Sequence, residues 1–168
     1  MKEILEGLYL GCDADVEEFR DLHPDGAIIH AAKERWHRDA VGYTGRGAPK
    51  DHPEYLVAVR GNELMLNLVD APKPEYIPRE CFEAADNFFA DKYLCEELPM
   101  LIHCNQGKSR GPGVLLRCLY IREYVLTSYT EGVPSTFEGW AEWLEETKGY
   151  DCEFGDGVCL ALEEWIDG

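Results

Sequence analysis

The chain has 168 residues, 45% apolar and 29% charged, enough for one buried core and too apolar for general disorder. Asp and Glu number 33 against 16 Lys and Arg, a formal net charge of −17, which disfavours broad binding to nucleic acid or an anionic membrane. No stretch approaches the ~20 apolar residues of a membrane span. The acid-bearing start Met1-Lys2-Glu3-Ile4-Leu5-Glu6 is unlike a secretory leader, so a cytoplasmic location is expected.

No linker, repeat or low-complexity tract divides the chain, and residues 1–168 read as a single domain. Ile4 to Leu10 and Ala27 to Ala31 read as short strands. Leu56 to Arg60 and Leu64 to Val69 flank a turn at Gly61-Asn62 and predict a hairpin. Pro78 opens an expected helix to about Tyr93, with Cys81, Ala85, Phe88 and Phe89 on its inner side. Met100-Leu101-Ile102-His103 is a short apolar run, as expected of a strand buried on both faces. A helix is predicted from Arg110 to Val125, and two more near Phe137–Thr147 and Gly157–Ile166. Strands alternating with helices imply an α/β fold: a central, mixed, mostly parallel sheet flanked by helices.

Charge is uneven. Residues 33–50 hold Lys33, Arg35, Arg38, Arg46 and Lys50 against Glu34 and Asp39, whereas residues 131–168 hold eleven acids against Lys148 alone. The basic segment reads either as one wall of a binding site or as a solvated loop. Seven cysteines, with no Cys-x-x-Cys pair, do not suggest a zinc ribbon, and no metal site is expected from His23, His30 and His37. Cys12, Cys81 and Cys118 are candidates to lie near Cys104. Trp140 and Trp143 read as helix–core packing.

The chemistry concentrates in Met100-Leu101-Ile102-His103-Cys104-Asn105-Gln106-Gly107-Lys108-Ser109-Arg110-Gly111-Pro112-Gly113. An apolar strand ends at His-Cys, a glycine-containing loop follows, and an Arg opens a helix. Six positions separate Cys104 from Arg110, enough for the loop to curl around one tetrahedral dianion with its N–H groups inward. Gly107 permits a backbone conformation that other residues resist. The helix N-terminus adds free N–H groups, and the Arg110 fork can hold two phosphate oxygens. The same field favours Cys104 as a thiolate nucleophile. Asp70, on a turn-rich loop after the run Leu64–Val69, is the candidate general acid. Asp86 and Asp91 fall on the predicted helix and suit that role less well. Gly107-Lys108-Ser109 is no Walker A loop, because position 102 is Ile where that motif needs Gly.

This stretch resembles the His-Cys-x-x-Gly-x-x-Arg signature of the cysteine-dependent protein tyrosine phosphatase superfamily, and the small dual-specificity branch in particular. The opening Ile4-Leu5-Glu6-Gly7-Leu8-Tyr9-Leu10-Gly11-Cys12 is similar to that branch's first strand, Asp70 lies near the family's general-acid spacing, and Leu162-Glu163-Glu164-Trp165 resembles its closing helix. The resemblance implies a phosphatase of phosphotyrosine, phosphoserine or phosphothreonine proteins, or of small phosphomonoesters, working through a cysteinyl phosphate without metal or cofactor. Cys104 would be the nucleophile, Arg110 the phosphate binder and Asp70 the general acid. The amides of Asn105, Gln106, Gly107, Lys108, Ser109 and Arg110 would hold the phosphate. His103 would order the loop and tune the thiolate.

Two departures stand out. The family usually places Ser or Thr after the Arg, where a hydroxyl helps the cysteine leave; here that residue is Gly111, and Ser109 is expected to point elsewhere. No clear match exists to the Tyr-containing loop of tyrosine-specific members, which implies a shallow pocket. Lys108 resembles the loop lysine of phosphatases acting on phosphoinositides or inositol polyphosphates. The open alternatives are therefore a phospho-ligand binding protein with weak turnover, a phosphatase of non-protein substrates including RNA 5′-polyphosphates, and a sulfurtransferase or arsenate reductase with a similar loop.

Overall fold

Gly7 splits the opening apolar run in two. The computed structural model describes residues 1–121, 134 and 136–166. Within them, the expected single strand Ile4–Leu10 is instead a hairpin of β1 (Lys2–Leu5) and β2 (Leu8–Cys12). Gly7 sits at φ 71° and its N–H donates to Glu3 Oε1 at 2.8 Å, so the chain reverses where a side chain would be strained. Helix α1 (Val16–Leu22), which the apolar pattern does not announce, leads to β3 (Ala27–His30). A kinked turn over 33–37 enters the short helix α2 (Arg38–Val41).

The predicted hairpin forms as β4 (Val57–Arg60) and β5 (Glu63–Leu66), turning at Gly61 with φ 59°. Its second strand stops three residues early. Leu68 N–H donates to Leu66 O and Ala71 N–H to Val69 O, so the chain turns before Asp70. Helix α3 (Arg79–Phe89) buries Cys81, Phe82, Ala85, Phe88 and Phe89 as its spacing requires, and continues through wider turns to Cys95. It also buries Asp86 against Arg117 (3.3 Å). The all-buried β6 (Met100–Cys104) follows, then α4 (Arg110–Ile121). The predicted continuation of that helix to Val125 lies outside the described residues. Helix α5 (Phe137–Glu142) continues through wider turns to Thr147, and α6 (Asp156–Ile166) begins one residue before its expected start.

The strands form one sheet in the order β1-β2-β6-β3-β5-β4, with parallel pairings from β2 through β5 and an antiparallel strand at each edge. This is the mixed, mostly parallel sheet expected. Side chains alternate across it. Leu8, Leu10, Ala27, Ile29, Met100, Ile102 and Cys104 join the large core with α3, α4, α5 and α6. Ile28 and Leu101 join a smaller core with α1 and Trp36 on the opposite face. Trp140 is buried, and its ring meets Trp143 edge-on at 5.4 Å.

Candidate active site

The loop from Cys104 to Arg110 closes the C-terminal end of β6, where the parallel sheet opens to solvent. Cys104 is its last strand residue and is 2% exposed. Gly107 adopts φ 74°. A Cβ there would come within 2.9 Å of Gly11 O and 2.8 Å of the Tyr150 hydroxyl, so only glycine lets the loop turn beside β2. No hydrogen bond from the backbone N–H groups of Asn105 to Arg110 is found among the described residues. Arg110 opens α4. Its Nη1 donates to Leu68 O (3.1 Å) and its Nη2 to Asn105 Oδ1 (3.0 Å), while Nε is buried and has no partner among the described residues. Buried donors of this kind call for an acceptor. Amides without intramolecular partners among the described residues, a helix N-terminus and a guanidinium held by two hydrogen bonds suit a tetrahedral dianion.

Gly111 lies flat on β6. A Cβ there would stand 3.0 Å from Cys104 N and His103 C, so the first turn of α4 approaches the strand closely. Ser109 points elsewhere, towards Asp70 and Gly155. It is buried, donates to Asp70 Oδ1 at 3.1 Å and accepts from Gly155 N–H at 2.9 Å. The structure thus brings exposed Asp70 to the rim of the loop, tethered through Ser109.

Two walls flank the loop. The basic segment begins on one side: Lys33 N–H donates to Leu68 O, the carbonyl that Arg110 also uses, and Asn105 Nδ2 donates to Glu34 O (2.8 Å). A cavity of about 550 Å³ opens beside Asp70, with Lys33, Lys50, Tyr55, Asn67, Val69 and Ala71 on its walls. The second wall is the 150–155 loop, which the sequence did not reveal. Tyr150 Oη donates to Gly107 O (2.8 Å) and Glu153 N–H to Lys108 O (2.9 Å). The Lys108 ammonium pairs with the Asp151 carboxylate and lies 3.7 Å from that of Glu153, which raises its pKa and keeps it charged. Burial pushes the Cys152 thiol up to about 12, so this neighbour stays protonated at neutral pH.

Beneath the loop lies a polar layer. Asp13, just after β2, accepts from Trp36 Nε1 (2.7 Å) and Asn105 Nδ2 (2.9 Å) and lies 3.4 Å from His103 Nδ1. Burial pushes its carboxyl up, but hydrogen bonds from His103, Asn105 and Trp36 win and hold it well below the usual carboxylate range. His30 and His103 are register partners on β3 and β6, both fully buried, with Nδ1 and Nε2 2.6 Å apart. Sequence reading missed the site roles of Asp13, His30 and Tyr150. A histidine ending each of two apolar runs was the available signal for His30. Among the described residues no cluster suits a metal ion. Cys12 is the register partner of Cys104 on the adjacent strand. Cys81 instead bonds Leu56 O, and its thiol is pushed up by burial to about 12.

No protein-family model matches the chain, and no curated protein is similar to it in sequence. Solved structures do match its fold. Human DUSP28 aligns with 98% of this chain and 91% of its own, at 14% identity and a TM-score of 0.63. The PTP-2 phosphatase of Cydia pomonella covers 97% and 88%, at 17% identity and 0.64. The human tyrosine phosphatase-like serine/threonine/tyrosine-interacting protein covers 98% and 94%, at 16% identity and 0.62. Among the described residues no helix is long and apolar enough to cross a membrane. The chain has the fold of the dual-specificity and protein tyrosine phosphatases, as its Cys104–Arg110 loop led us to expect.

Proposed function

We propose that residues 1–168 form one cytoplasmic catalytic domain that hydrolyses phosphomonoesters, with phosphotyrosine, phosphoserine and phosphothreonine proteins as the leading substrates. The observation that carries this reading is the loop itself: partnerless amides and a buried, partnerless Arg110 Nε around Cys104. In the first step the Cys104 thiolate attacks phosphorus, and the sulfur–phosphorus bond forms as the ester oxygen leaves with a proton from Asp70. In the second, Asp70 takes a proton from water, which attacks phosphorus and releases Cys104 and phosphate. Arg110 and the amides of Asn105 to Arg110 hold the equatorial oxygens throughout. No metal or cofactor enters these steps. The pairing of Lys108 with Asp151 weakens the polyphosphate readings.

A second reading, a phospho-ligand binder with slow turnover, draws on Gly111. No hydroxyl stands beside Cys104 at that position, and one structural neighbour is itself described as phosphatase-like and interacting. Rapid mixing with an aryl phosphate at mildly acidic pH separates the two. A vanadate-sensitive steady state lost in Cys104→Ser is expected, while that variant keeps phosphate binding. A stoichiometric burst with little turnover favours the binder. Neither burst nor turnover in folded protein removes the enzyme reading. Gly111→Ser compared with Gly111→Ala isolates the hydroxyl from the crowding that both share. Faster turnover in the serine variant alone would show that phosphoenzyme hydrolysis is the slow step.

A further inference from the structure

The underside of the loop holds a continuous chain of polar groups that the proposed steps do not use. From one end it runs Asp13, His103, His30, Glu63, Arg20. His103 Nδ1 faces Asp13 Oδ1 at 3.4 Å, and Cys104 O lies at the same distance. His103 Nε2 faces His30 Nδ1 at 2.6 Å. His30 Nε2 faces Glu63 Oε2 at 3.1 Å. Arg20 clamps Glu63 from α1 through Nε and Nη2, at 2.8 to 3.1 Å. Trp36 stacks on His30 with centroids 4.1 Å apart and meets His103 edge-on at 5.1 Å, sealing the pair from water. The Arg35 guanidinium lies 4.6 Å above the outer Trp36 ring.

Hydrogen counting decides what this chain carries. Both ends are acceptors. Hydrogen bonds hold Asp13 well below the usual carboxylate range, and the His30 hydrogen bond leads in holding Glu63 at about 2. The ring nitrogens that face them meet acceptors, where a lone pair would be repelled, so each carries its hydrogen: Nδ1–H of His103 and Nε2–H of His30. Two neutral imidazoles have no more hydrogens than that. Their inner nitrogens would then oppose two lone pairs at 2.6 Å, inside a dry core. A third hydrogen removes the conflict. Arg20 already balances Glu63, whereas the other partners of Asp13 among the described residues, Trp36 and Asn105, are neutral, so the extra charge belongs on His103; burial, which pushes the His30 imidazole down to about 4, agrees.

We propose that His30 and Glu63 are positioning residues that keep His103 as a buried imidazolium directly behind Cys104, with His103 Nε2–H donating to His30 Nδ1. The cation is balanced by Asp13 and lies one peptide from the thiolate, which it stabilises. This inference rests on the phosphatase reading only for its consequence in turnover; the hydrogen count stands apart from it. It also gives Trp36 a task, since water reaching the pair would satisfy the inner nitrogens without the third hydrogen.

Long-range proton–nitrogen NMR on the labelled wild-type protein at neutral pH reads each ring nitrogen directly. Two N–H nitrogens on His103, with one N–H and one bare nitrogen on His30, are expected. One bare nitrogen on each ring overturns the proposal, and so does an imidazolium at His30. A second readout is Cys104 alkylation by iodoacetamide at pH 6. His30→Leu, which cannot accept from His103, should slow it about tenfold. His30→Asn places an amide oxygen near the Nδ1 position and should hold the rate within about twofold of wild type. A wild-type rate in folded His30→Leu overturns the proposal. The expected spectrum and alkylation pattern in a protein that hydrolyses no phosphate ester would sustain the proposal and end the phosphatase reading.

Discussion

Cys104 and Asp70 are held in opposite ways. Cys104 ends a strand paired on both sides, under a helix and over a buried polar layer, and is 2% exposed. Asp70 sits on an exposed loop after a strand that ends early, and one hydrogen bond from Ser109 ties it to the phosphate loop. The proposed nucleophile and anion cradle are thus built into the core, while the proposed acid stands on a surface segment. An exposed acid can meet leaving groups of varied shape. A nest of amides works only when preorganised.

If Asp70 is the acid, Asp70→Asn should lower turnover of esters with poor leaving groups by about 10²–10⁴, and much less for activated aryl esters. An equal loss for both would separate Asp70 from leaving-group protonation. The buried side predicts acid sensitivity instead. His30 stays neutral down to about 4 when folded but titrates near 6.5 when unfolded. The unfolded chain therefore binds the extra proton across that window, and stability falls as pH drops from 6.5 to 4, by about 3 kcal/mol at full extent. Glu63, held at about 2, continues the loss below its unfolded value. Urea midpoints against pH measure this, and His30→Asn should flatten the upper part of the curve. The smallest effect is expected at the tether. Ser109→Ala removes two hydrogen bonds, to Asp70 and from Gly155 N–H, of roughly 0.5–1.5 kcal/mol each, and should cost about two- to tenfold in turnover while leaving phosphate binding intact. Loss of phosphate binding would mean that Ser109 shapes the loop rather than placing Asp70.

The readable parts were those where one local pattern admits one structure. The apolar run before Cys104, the glycine at 107 and the helix after Arg110 could be read in order, because strand burial, a positive φ and a helix N-terminus each leave a local mark. Gly7 left the same mark, but the apolar residues on both sides hid the reversal it makes. Asp70 was legible as a residue beyond a strand. That Ser109 would reach it was not, because their bond spans 39 positions.

The α/β alternation and the Cys104-to-Arg110 cradle were legible along the chain, since both are built from contacts between near neighbours in sequence. What surrounds that cradle depended on long-range contacts. Sheet order put β3 beside β6 and set His30 against His103, 73 residues apart. The 150–155 loop brought Tyr150, Asp151 and Glu153 onto the Cys104–Arg110 loop and set carboxylates beside Lys108. Those pairings depend on strand order and register, which side-chain periodicity cannot encode because it reports which face a residue occupies and not which strand lies next to it.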